Sequence, residues 1–214
     1  MSTICADTTV ICSSDHGDWA GDYGLVEKWP NAFDDDITRV PLIIRTPGGA
    51  KGHRVKELTQ TFDIFPTIFD LEQIEIGHTQ FGVSLKEQLF GASGDSARRV
   101  YCEGGYDIHE PHCFEGTKAY AHFMVKDSVY YPKMIQQQEA PESVCRGTMI
   151  RNERYKLVIR TNGENELYDM LNDPDELKNL YYMPDMQGLI NEMKNEMLLW
   201  YIHTSDVVPD PDKK

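Results

Sequence analysis

The run Ser14-Asp15-His16-Gly17 puts a carboxylate and an imidazole on adjacent residues, directly after an apolar, β-branched segment. On a turn that Gly17 permits, such a pair can aim one carboxylate oxygen and one ring nitrogen at a single cation. Strand ends are also where α/β sheets present ligands and catalytic groups. The residues by themselves leave a second reading equally open, an N-capping Asp followed by an incidental His. Lys28, taken alone, is an ordinary solvated lysine. A second concentration of polar groups runs from Glu103 to His112 (EGGYDIHEPH) in a Gly- and Pro-rich loop. There His109 and His112 are candidates for substrate contact without a metal role, against the plainer reading of a polar loop.

Other acidic runs carry less. Asp34, Asp35 and Asp36 stand just before an apolar strand and read as a solvated helix face rather than as metal ligands. Asp169, Asp173, Asp175 and Glu176 lack the alternating ligands, central Gly and terminal Glu of a calcium loop.

The elements that must position these groups follow from periodicity. Thr8–Ser13 reads as a buried strand running into Asp15, and the continuous VPLII run within Val40–Arg45 as a second, covered on both faces as in a parallel sheet. Apolar residues recur at helical spacing from Phe62 to Leu71, with Asp63 and Pro66 suited to the first turn. Gly91-Ala92-Ser93-Gly94-Asp95 reads as a connector, which divides the chain into 1–94 and 95–214. Beyond it, Val100–Glu103, Thr148–Arg151 and Tyr155–Arg160 are strand-like, and Asn152-Glu153 and Asn162-Gly163 are turn candidates of an antiparallel meander. Residues 103–144 read as long loops. Pro184 opens a helix whose stripe of Met186, Leu189, Ile190, Met193, Met197, Trp200 and Tyr201 is core packing, and Ser205–Lys214 reads as a frayed tail.

Composition narrows the partners. Across 214 residues, 21 basic against 35 acidic side chains give a net charge of −14, a poor match to a nucleic-acid backbone. No apolar stretch has the length of a membrane helix, and MSTICADTTV shows no export signal. The five cysteines have no C-x-x-C spacing and read as reduced thiols, pointing to the cytoplasm.

Four segments in order resemble the sulfatases of the alkaline-phosphatase-like superfamily: SDHGDWAGDYGLVEKWPNAFDDDITRVPLIIRTPGG, FDIFPTIFDL, GVSLKEQLFG and RYKLVIRTNGENELYDMLNDPDELKNLY. The resemblance covers about residues 8–182. It implies an α/β fold, the C-terminal portion of an alkaline-phosphatase-like sheet followed by a small antiparallel sheet and a C-terminal helix. It also implies that Asp15 and His16 are metal ligands and that Lys28 grips a sulfate oxygen during sulfate-ester hydrolysis. The metal would be calcium, although imidazole ligation suits manganese or zinc better. The substrate would be a sulfated small molecule or carbohydrate.

One departure stands out. Sulfatases mature a Cys or Ser within Cys/Ser-x-Pro/Ala-x-Arg into formylglycine, and no such motif occurs here. The resemblance thus implies a portion lacking its nucleophile, with formylglycine expected only in a preceding part. Uncovered strands would then favour self-association or pairing with an N-terminal chain. Two alternatives remain: part of a phosphodiesterase or phosphonate monoester hydrolase of the same superfamily, and a non-catalytic assembly domain.

Overall fold

The computed structural model describes residues 6–115, 126–128 and 130–208, so Cys5 and the end of the expected frayed tail lie outside the described residues. Its elements in chain order are β1 (Val10–Ser13), α1 (Asp35–Thr38), β2 (Leu42–Arg45), α2 (Ile64–Leu71), α3 (Lys86–Leu89), β3 (Val100–Gly104), α4 (Tyr131–Glu139), β4 (Gly147–Arg151), β5 (Tyr155–Arg160), β6 (Glu166–Asp169) and α5 (Gln187–Thr204). Short 3-10 turns precede α2 and α5 at Thr61–Asp63 and Pro184–Met186.

β1 and β2 form a two-stranded sheet, and they pair antiparallel, with Ser13 opposite Leu42 and Val10 opposite Arg45. The parallel arrangement expected from the VPLII run is therefore corrected. A parallel pair needs a crossover that carries the chain back to the starting end of the sheet, usually on a helix. Residues 14–41 contain only one turn of 3-10 helix and the four-residue α1, so the chain re-enters beside the end it left. Nor are the two strands covered, since Val10 is 51% and Ile43 65% exposed.

The second sheet contains the expected antiparallel meander of β3, β4 and β5 and adds β6 as a fourth strand, in the order β3-β4-β5-β6. Strand alternation sends two sets of side chains to opposite faces. Ile150, Leu157 and Leu167 point to α5 and close a core with Ile190, Met193 and Met197. Each such side chain contributes about 1.5–3 kcal/mol when fully buried. Tyr101 stacks on Trp200 at the same interface, with ring centroids 4.5 Å apart. The Met-rich stripe of the last helix is thus packing, as its spacing indicates.

The opposite parity, Met149 and Val158 with Cys102 alongside, packs on Phe33. The loop between the first two strands therefore covers the second face of the meander. It is pinned there by backbone and side-chain bonds: Trp29 Nε1 donates to Ser143 O (2.7 Å), Asn31 Nδ2 to Cys145 O (2.8 Å) and Gly105 N to Pro30 O (2.7 Å). Gly105 has φ +84, and a Cβ there would lie 2.2 Å from Cys145 O, so only glycine admits this crossing of backbones.

Residues 103–144 are not simply long loops. Tyr131–Glu139 is helical, opened by Pro132 in its first turn, and its Met134 and Gln137, three residues apart, are buried together. The start of α2 is fixed by Gln60 and Asp63, which cap each other reciprocally, and by the buried Asp63 carboxylate, which accepts from Arg98 Nη2 at 2.7 Å. The Phe62–Leu71 helix expected from periodicity is present, but Phe62 and Ile68 are exposed while Pro66 and Thr67 are buried.

Candidate functional site

β1 ends at Ser13 and delivers Asp15 and His16 into a cleft of about 600 Å³ that Lys28 also lines. His16 is fixed from both ends. Its Nδ1 lies 2.7 Å from Gly17 O, and because a carbonyl can only accept, Nδ1 carries the proton and Nε2 keeps its lone pair. Lys28 Nζ sits 2.6 Å from Nε2 and donates into that lone pair. Asp15 Oδ2 is 3.6 Å from the same nitrogen. Backbone hydrogen bonds at Asp15 and His16 hold the Asp15 carboxyl below its usual range, and the nearby Lys28 ammonium pulls in the same direction.

A carboxylate and an imidazole lone pair thus face a space that already draws in one cationic group. The donor set fits a divalent cation in kind. Among the described residues, however, no group of three or more His, Cys, Asp and Glu side chains is placed to hold a metal ion. Asp15 and His16 supply two ligands at most.

Gly17 serves this site differently from the turn expected of it, because its φ is not positive. What it provides is room. Its N–H donates to Ile37 O at 2.8 Å, and a Cβ would stand 1.8 Å from Asp36 O. The Asp15-His16 turn rests directly on the backbone of α1.

His109 and His112 are not brought to this cleft. His109 lines a separate polar concavity with Asp107, Glu142, Arg146 and Glu164, and His112 sits in a 3-10 turn at Pro111–Cys113. Their loop instead sends Glu103, Gly104 and Tyr106 to the cleft of Asp15 and Lys28.

The structure also assembles a cluster that the linear pattern did not reveal. Arg151 and Lys156 are directly opposite on β4 and β5, a repulsive placement for like charges. Asp35 Oδ1 lies between them, accepting from Arg151 Nη1 and, at 3.1 Å, from Lys156 Nζ. Lys156 is fully buried, and its ammonium also donates to Glu176 Oε1 (2.5 Å) and Phe33 O (2.8 Å). The Asp34–Asp36 run is therefore not uniformly solvated: the Asp35 side chain is 16% exposed and fastens α1 to the meander. Inward parity of Lys156 within YKLVIR was the one available signal, since a charge at a core position calls for a partner.

Burial pushes the Glu176 carboxyl up from 4.5 to about 7, more than the neighbouring Lys156 ammonium pulls it down. An unfolded glutamate releases its proton at lower pH, so in that window the folded chain binds the extra proton. This group's stabilisation is then fully present below 4.5 and lost as pH rises through about 7. Urea unfolding between about pH 5 and pH 7 should show stability falling with pH, by at most about 1.4 kcal/mol per unit from this one site. Glu176→Gln should flatten that slope; an unchanged slope would place the titration elsewhere.

No helix among the described residues is long and apolar enough to cross a membrane, and Cys12, Cys102, Cys113 and Cys145 are all free.

Comparison with known proteins adds the family context. The Sulfatase family model matches residues 4–74, and the model for the C-terminal part of N-sulphoglucosamine sulphohydrolase matches residues 114–201. Delta 4,5-hexuronate-2-O-sulfatase of Bacteroides thetaiotaomicron is 30% identical over 191 residues, 87% of this chain and 33% of that protein. Choline-sulfatase of Rhizobium meliloti is 30% identical over 178 residues, 83% of this chain and 28% of its own length. Among solved structures, the phosphonate monoester hydrolase of Agrobacterium radiobacter superposes with a TM-score of 0.70 at 27% identity, over 92% of this chain and 36% of that one. The chain spans about a third of the length of the curated relatives it matches.

Proposed function

The chain belongs to the sulfatase family within the alkaline-phosphatase-like fold, and from that premise we propose that it is the sulfate-gripping portion of a metal-dependent sulfate ester hydrolase. Lys28 would donate to a non-bridging sulfate oxygen, and Asp15 and His16 would hold a divalent cation, calcium by family or manganese or zinc by the chemistry of the imidazole. Such a cation, when bound, supplies Lewis-acid stabilisation of the charge that develops on sulfate oxygens. The observation that carries the reading is the 2.6 Å approach of Lys28 Nζ to His16 Nε2, within the stretch matched by the Sulfatase model.

The chain's own residues bind and orient; they offer no nucleophile of the family type. None of the five cysteines, nor any serine, lies in a Cys/Ser-x-Pro/Ala-x-Arg motif. A hydrated formylglycine would therefore be contributed from outside these residues, and the substrate would be a sulfated small molecule or carbohydrate. At a net charge of −14, attraction for its anionic group must be local, which gives Lys28 its weight.

The test is titration of the chain with inorganic sulfate, followed by calorimetry, beside turnover assays on an aryl sulfate and an aryl phosphodiester. Sulfate binding should weaken by about tenfold or more in Lys28→Ala, because a charge-assisted bond is removed. Turnover by the chain alone should be absent. Turnover that vanished in both Lys28→Ala and Asp15→Ala would overturn the nucleophile-free reading. The phosphonate monoester hydrolase neighbour favours a second reading, phosphoryl transfer, which binding of an aryl phosphodiester in preference to sulfate would support.

A further inference from the structure

The backbone leading to Lys28 adopts unusual conformations. Ala20, Tyr23 and Glu27 all have left-handed φ, at 49, 54 and 66, in a stretch of eight residues that also contains Gly21 and Gly24 at φ 113 and 71. Non-glycine residues enter this region only where surrounding contacts compel them. Glu27, the residue immediately before Lys28, shows which contacts do so. Its N–H donates to Asp18 Oδ1 at 3.1 Å, and its carbonyl accepts from Trp19 N at 3.1 Å. Its carboxylate Oε2 accepts from Lys133 Nζ of α4 at 2.7 Å, and the Tyr130 hydroxyl bonds to the same carboxylate.

Lys133 also reaches the residue on the other side of Lys28. Its ammonium lies 5.9 Å from the centroid of the Trp29 ring, whose indole N–H is itself held by Ser143 O at 2.7 Å. With its side chain 13% exposed, Lys133 is much less solvated than a surface lysine, and Glu27 is 27% exposed. Residues 27 and 29 are thus both fixed against α4 and the turn that follows it. Lys28 is left to project into the cleft, where it meets His16.

We propose that Lys133, acting through Glu27 and Trp29, is a positioning residue for Lys28. It sets the direction of the Lys28 ammonium rather than touching the anion itself. The inference rests on the reading of Lys28 as the anion-gripping group, and it extends that reading to α4, some hundred residues further along the chain. A lysine ammonium is a point charge on a flexible stem, so its backbone anchor decides where it spends its time. Misplacement of about 1 Å is enough to cost heavily in binding a small tetrahedral anion.

The test uses the 214-residue chain labelled with 13C at lysine Cε, with the Lys28 resonance assigned by Lys28→Arg, and titration with inorganic sulfate. Lys133→Ala should shift the Lys28 resonance towards that of a freely rotating lysine and weaken sulfate binding about tenfold. Lys133→Arg, which can still reach both Glu27 and Trp29, should restore both. If Lys133→Ala fails to fold, Glu27→Gln removes the ion pair at nearly constant volume and should give the same two changes. An unmoved Lys28 resonance in the folded variant overturns the positioning role, whatever sulfate does. A moved resonance together with unchanged sulfate binding in Lys28→Ala upholds the positioning role and overturns the anion-site reading instead.

Discussion

Lys156→Ala is expected to destabilise the chain by about 3–5 kcal/mol, the cost of breaking a buried ion pair by removing one partner. The ammonium is fully buried and serves three acceptors, Phe33 O, Asp35 Oδ1 and Glu176 Oε1. Without it Asp35 keeps Arg151, but Glu176 is left as a carboxylate with its side chain 2% exposed and no cation against it. Glu176 can escape part of that cost by binding a proton, so the loss should be smaller at low pH. Lys156→Met combined with Glu176→Gln should recover part of the stability, because the two replacement side chains are neutral and close in volume to those they replace, while Asp35 keeps Arg151. Urea unfolding of the two variants beside the parent chain decides the matter. A loss below about 1 kcal/mol for Lys156→Ala would mean that water reaches the cluster and that it does not fasten the loop.

Gly17→Ala is the second large effect, and it strikes the candidate site itself. The new methyl would overlap Asp36 O at 1.8 Å and Asp36 C at 2.8 Å, contacts with backbone that cannot rotate away. Either α1 lifts from the turn or the turn lifts from α1. The hydrogen bond from Gly17 N to Ile37 O is lost in both cases, and His16, which bonds to Gly17 O, moves with it. Overpacking usually costs about 1–3 kcal/mol, and a clash with fixed backbone belongs at or above the upper end. Thermal unfolding should report the loss of stability. Calorimetry with sulfate should report binding weakened as strongly as in Lys28→Ala. A variant that keeps parental stability and sulfate binding would show that the turn does not rest on α1 as described.

The two predictions concern opposite sides of the same loop. Residues 14–41 carry Asp15, His16 and Lys28 towards the cleft and bury Phe33 and Asp35 against the meander. Stability and site geometry are coupled here, since the elements holding Lys28 also close the second face of the sheet. Changes at Lys156 or Glu176 should therefore be felt in anion binding as well as in folding.

Much of this was legible in the amino-acid sequence, for reasons that are local. The meander strands announce themselves through β-branched alternation and the turns at Asn152 and Gly163, and α5 through a stripe at helical spacing, because each pattern reflects one face meeting one core. Asp15, His16 and Lys28 stand out as candidates through their residue types and the motif around them. Local pattern could not give the direction of β2, since an apolar run has the same composition whether its neighbour runs parallel or antiparallel. The return path of residues 14–41 decided that. Nor could it pair Asp35 with Lys156, or Glu27 with Lys133, because those partners lie 121 and 106 residues apart and meet only once the loop has folded over the sheet. The sequence by itself determined which groups were available for chemistry and which faces were apolar, since both depend on residues close along the chain. Only the tertiary structure decided which charges are neutralised in the interior and which are left facing the cleft, because that choice is made by long-range contacts that exclude water.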